Sequence, residues 1–128
     1  MEFREKQAIY IQIADHFGSN IIKGIWKSEE KIPSVRQLAV ELEVNPNTVM
    51  RTYSYLQEKE IITNKRGIGF FVAPMAKQIL LDQMKSKFIK NELPEFFKSL
   101  QLLGLSLKDL EPYFEKWAVE TSNNNNHE

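Results

Sequence analysis

Between Ser34 and Leu56 two helical stripes of apolar residues are joined by only three or four residues, and this spacing limits the fold more than any other feature of the chain. Residues 34–43, SVRQLAVELE, set Val35, Leu38, Ala39 and Leu42 at helical spacing, with Ser34 as a cap after Pro33. After the turn, Val49, Thr52, Tyr53 and Leu56 form a second inner face; Asn45 suits the cap and Pro46 the first turn. Two amphipathic helices with so short a connection are a helix-turn-helix candidate.

The flanking segments complete the pattern. Residues 7–23 place Ile9, Ile13, Phe17 and Ile21 four apart, a one-sided helix that ends at Gly24. Past Leu56 the period changes from helix to strand. A β-rich run at Ile61–Thr63, a loop from Lys65 to Gly69 and a second run at Phe70–Val72 read as a β-hairpin closed by Pro74. From Met75 the helical pattern returns with Ile79, Leu80, Met84 and Phe88, then Phe96, Phe97, Leu100 and Leu103 up to Gly104. Pro94 either bends one helix there or separates two. Ser106–Asp109 carries a capping-box pattern ahead of a last stripe of Leu107, Leu110, Phe114 and Trp117. The expected fold is therefore mainly α with a small β-hairpin wing: a winged helix-turn-helix over residues 1–74, a helical dimerisation region over 75–119, and a disordered polar tail over 120–128.

The dimerisation assignment is a matter of area. Leu80, Met84, Phe88, Phe97, Leu100, Leu110, Phe114 and Trp117 are more apolar surface than short helices can bury against each other, and an exposed patch of that size marks an interface. A second copy of the same helices can cover it through a two-fold contact; the alternative is that the tail folds back on its own winged domain.

Composition excludes more than it selects. The chain has no cysteine, so disulfides and thiolate metal sites are ruled out. It has no run of eighteen apolar residues and no basic-then-apolar leader, so neither membrane insertion nor export is expected, and a cytoplasmic location is. Seventeen basic groups balance seventeen acidic ones, but attraction to phosphate depends on where charge sits. No acid lies between Val44 and Gln57, while Arg36, Arg51, Lys65 and Arg66 mark the helix starts and the hairpin loop. One basic face is expected.

Each motif has an ordinary structural use beside a functional one. Asn47 and Thr48 fill the first turn of the second helix with short polar groups that can reach base edges in a major groove, although capping is the commoner use of such residues. The Gly67-x-Gly69 loop lacks the third glycine and the following helix of a phosphate cradle; as a wing tip, Lys65-Arg66-Gly67 suits a groove or phosphate contact. His16 and His127 are unpaired, so no metal is expected, and Glu29-Glu30 has no acid–base partner. No nucleophilic constellation can be assembled. Neither an enzyme nor a cofactor protein is expected.

The stretches GIWKSEEKIPSVRQLAVELEVNPNTVMRTYSYLQEKEII and NKRGIGFFV, with the AIYIQI start, resemble the winged helix-turn-helix of the GntR transcriptional regulators. The likeness covers about residues 8–73 and rests on Pro33-Ser34-x-Arg36, Asn47-Thr48-Val49 and the Gly67-x-Gly69-x-Phe71-Val72 wing. The NPNTV wording and the short helical tail resemble the YtrA subfamily. The resemblance implies a dimeric DNA-binding regulator, usually a repressor, acting on an operator in double-stranded DNA. It also implies roles: Arg36 on phosphate, Asn47, Thr48 and Arg51 at the major groove or its backbone, and Arg66-Gly67 at the minor groove. Ser34, Asn45 and Lys65 complete the expected DNA-binding set. Met50 departs from an Arg that several subfamilies carry, Glu29 from a usual Gly, and Ala8 from a usual Pro. A small-molecule effector would have to bind among the tail helices or at the dimer seam. The competing expectation is a winged-helix protein–protein module without DNA, which the zero net charge would fit.

Overall fold

The computed structural model of the chain describes residues 7–125. Helices α1 (Ile9–Ile22), α2 (Val35–Leu42) and α3 (Pro46–Glu58) precede strands β1 (Ile62–Lys65) and β2 (Gly69–Val72). Then follow α4 (Ala76–Lys87), a π-helical turn (Phe88–Glu92), α5 (Leu93–Leu103) and α6 (Leu107–Asn125). The chain divides into two compact units, Met1–Met84 and Lys85–Glu128. That boundary lies ten residues beyond Pro74, where the hairpin ends in sequence, because the first turns of α4 belong to the core of the winged unit.

That core follows the helical stripes. Ile13, Phe17 and Ile21 of α1 meet Leu38 and Ala39 of α2, and Val49, Tyr53 and Leu56 of α3, all buried. Ile9, expected on the same stripe, is the first residue of α1 and is 44% exposed. Aromatic rings link the layers: Phe17 lies 4.2 Å from Trp26 and 5.5 Å from Tyr53, and Tyr53 lies 4.9 Å from Phe70 of the wing. Each such side chain removed from water contributes roughly 1.5–3 kcal/mol. Thr52, also fully buried, sets its hydroxyl 2.9 Å from the Tyr10 carbonyl oxygen and so ties α3 to α1.

The hairpin is antiparallel, with Ile62 opposite Val72 and Lys65 opposite Gly69. A third edge comes from the chain before α2: Lys31 bridges Phe71, and the Glu29 and Ile32 amides donate to the Val72 and Phe70 carbonyls. Ala76 is fully buried, and Ile79 and Leu80 pack against the winged core. Gly18 makes room for the last of these. A Cβ there would stand 3.2 Å from a Leu80 methyl. Leu80, one of the expected dimerisation residues, is half-buried against its own winged unit.

In the second unit Pro94 sits in the first turn of α5, directly after the π-helical turn. Proline lacks an N–H and crowds the carbonyl four residues back, and the wider turn, closed by the Leu93 amide on the Phe88 oxygen, absorbs both effects. α5 ends at Gly104 with positive φ. Ser106 and Asp109 then form the reciprocal cap expected from sequence, with the Asp109 amide 3.2 Å from Ser106 Oγ and the Ser106 amide 2.9 Å from the Asp109 carboxylate. α6 runs through Asn125, across much of the segment expected to be disordered from residue 120; residues 126–128, with His127, lie outside the described residues.

Candidate nucleic-acid interface

Three segments carry the candidate residues: the start of α2, the start of α3 and the turn between β1 and β2. At α2, Ser34 is the cap of a complete capping box: the Gln37 amide donates to Ser34 Oγ at 3.1 Å and the Ser34 amide to Gln37 Oε1 at 2.8 Å. The box fixes the first turn and leaves Arg36 exposed. Tyr53 holds the same entry from below. Its hydroxyl donates to the Pro33 carbonyl, and burial, with a smaller contribution from the Glu41 carboxylate, pushes the phenol above its ordinary pKa.

At α3 the two asparagines divide the work. Asn45 Oδ1 accepts from the Asn47 amide at 2.8 Å, so Asn45 is the cap. The Asn47 side chain makes no hydrogen bond among the described residues and is exposed. Thr48 is half-buried. Val49, Thr52, Tyr53 and Leu56 face the core, which leaves Asn47, Met50, Arg51 and Ser54 along the outer face. Arg51 is not loose there. Its guanidinium carbon lies 3.9 Å from the centre of the Tyr10 ring, and that ring meets Tyr55 edge-on at 6.0 Å.

The wing turn exposes Lys65, Arg66, Gly67 and Ile68. Gly67 has φ +80°, a conformation side chains disfavour, and Gly69 has φ +140° with the Lys31 side chain 3.0 Å from where a Cβ would be. Lys65 Nζ stands 4.3 Å from the Phe71 ring centre. The wing therefore carries Lys31 as a third cation beside Lys65 and Arg66. Sequence reasoning missed Lys31 because it is thirty-odd positions from the loop, and missed Tyr10 because nothing local marks it as a partner of Arg51. Elsewhere, His16 is an exposed residue of α1, no group of His, Asp or Glu among the described residues converges as a metal site, and no described helix is long and apolar enough to cross a membrane.

A short helix pair, an antiparallel wing and exposed amide and guanidinium groups on the outer face of the second helix define a winged helix-turn-helix DNA-binding regulator. The chain belongs to the bacterial regulatory proteins of the gntR family, which residues 9–72 match. It is 35% identical over 109 residues to the helix-turn-helix-type transcriptional regulator YhcF of Bacillus subtilis, covering 85% of this chain and 88% of that protein. It is 34% identical over 119 residues to the transcriptional repressor YtrA of the same organism, covering 93% and 88%. The crystal structure of a GntR-family protein from Bacteroides thetaiotaomicron matches at 46% identity with a TM-score of 0.76, covering 89% of this chain and 99% of that one. These relatives are transcription regulators, not enzymes.

Proposed function

We propose that the protein is a dimeric repressor that binds an inverted-repeat operator, with α3 in the major groove and the wing at the minor groove. The observation that carries this reading is the division of labour at the start of α3. Asn45 alone caps the helix, so the amide of Asn47 is left for base edges, while Arg51 is held at the same exposed end. The remaining candidates take positioning roles. Ser34 and Arg36 at the α2 start and Lys65, Arg66 and Gly67 at the wing suit phosphate and groove contacts, with Lys31 added to the wing.

Dimerisation is supported by what the second unit and the end of α4 leave in water. Met84, Phe88, Phe97, Phe114 and Trp117 are each 44% exposed or more, and only Leu100 of the expected set is buried within the chain. The repressor assignment is supported by the likeness to YtrA, which extends over nearly the whole chain. Selection from random duplex DNA followed by salt titration tests the reading. The expected site is an inverted repeat with half-sites about one helical turn apart, bound with an affinity that falls steeply as salt rises. Selected sequences without two-fold symmetry, bound equally at all salt concentrations, would overturn it.

A further inference from the structure

Asn47, Met50, Arg51 and Ser54 lie one turn apart along the exposed face of α3, and three of the four are polar. Met50 is the exception. It is 52% exposed, is the one large exposed apolar side chain of this helix, and is absent from the side chains packed on the core. A solitary surface methionine needs no explanation in most places. This one stands three residues from Asn47 in the second turn of the helix, on the face that carries the free amide. Its neighbour Arg51 is anchored on the Tyr10 ring at 3.9 Å. Charge at this end of the helix thus has a fixed place, and the remaining contact Met50 can offer is apolar.

The edge of a base pair in the major groove presents donors, acceptors and one apolar group, the 5-methyl of thymine. A methionine side chain is unbranched, polarizable and free to adapt its torsions, so it can follow a methyl group that a short stiff side chain would miss. Residues three apart on a helix carry side chains about 5–6 Å apart at their bases, between one and two base-pair steps of about 3.4 Å, a gap that long side chains can close. From these observations we infer that Met50 recognises a thymine through its 5-methyl group, at or next to the base pair that Asn47 meets. The inference rests on the placement of α3 in the major groove proposed above, and deepens it by naming one base and the group that is read.

Replacing thymine by deoxyuridine deletes the methyl and keeps every hydrogen-bonding group, so it isolates this contact. Each thymine of the selected site is replaced in turn, in both half-sites, and binding is measured for the full-length protein and for Met50→Ala. One position is expected to weaken wild-type binding by about fourfold per half-site, the equivalent of one methyl returned to water. Met50→Ala should be insensitive to the same replacement and melt like the wild type, since the side chain is exposed. A wild type indifferent to deoxyuridine at every position would overturn the inference, and so would a Met50→Ala protein that keeps the full sensitivity. Failure of the groove placement itself would be recognised separately, as selection that yields no preferred sequence at all.

Discussion

Glu29, Glu43 and Glu60 hold the backbone at φ of 64°, 56° and 63°, and they are the only residues other than glycine with positive φ among those described. Side chains disfavour this region by roughly 1–2 kcal/mol because Cβ crowds the carbonyl. Glu43 is the C-terminal cap of α2, in the turn that sets the angle to α3. Glu43→Gly should therefore raise stability by about 1 kcal/mol, read as a higher melting temperature with the same fold. Tyr53 gives a second expectation. Below about pH 10 its phenol is protonated in both folded and unfolded chains, and stability is intact. Above that pH the unfolded phenol ionises while the buried one, its pKa raised by burial and by Glu41, holds its proton, so stability falls as pH rises. Tyr53→Phe should lose about 1 kcal/mol at neutral pH, because the Pro33 carbonyl loses its donor, yet show a shallower decline in alkali. Equal alkaline slopes for the two proteins would count against this account.

At the scale of the element, α3 sets its capping residue Asn45 two positions before Asn47, the residue proposed to read bases. Asn45→Ala should lower stability by about 0.5–2 kcal/mol and leave base preference unchanged, because it removes the acceptor of the Asn47 amide. Asn47→Ala should leave the melting temperature alone, cost about 1–3 kcal/mol on the selected site and relax preference at one or two bases. Thermal melts and binding to point-substituted sites read the two effects apart. The sequence already contained much of this. Helical stripes, the caps at Ser34, Asn45 and Ser106, and the Gly67–Gly69 turn are written in residues a few positions apart, and local signals of that kind are legible. The stacking of Arg51 on Tyr10 and the bridge from Lys31 to Phe71 join distant positions, and nothing near either residue announces them. The π-helical turn at Phe88–Glu92 was open for a different reason. Pro94 shows that a hydrogen bond must be given up, but not how the neighbouring turns rearrange to accommodate it.

For the whole molecule, the question is what the tail region adds to the winged unit. Ala76, Ile79 and Leu80 come after the hairpin yet complete its core, and removing a buried Leu or Ile side chain costs about 2–5 kcal/mol. Truncation after Pro74 should accordingly yield a destabilised protein, whereas truncation after Met84, at the boundary of the compact units, should yield a folded one. The two truncated proteins separate stability from assembly. Within the second unit, Phe88, Phe96, Phe97, Phe114 and Trp117 are left about half exposed or more, and each forgoes part of the roughly 1.5–3 kcal/mol that full burial is worth. In the dimer proposed above, a two-fold contact with a second copy would recover that energy and carry two α3 helices to one duplex. Once one half-site is held, the second binds at high effective concentration, which raises affinity by about 10²–10⁴ with no new contact. Residues 1–84 should therefore be monomeric, melt cooperatively, and bind an inverted repeat hardly better than a single half-site. The full chain should be a dimer by light scattering at micromolar concentration and should prefer the repeat by orders of magnitude. A monomeric full-length protein would remove the two-fold operator along with the dimer, because a lone winged unit has no means of favouring a symmetric site.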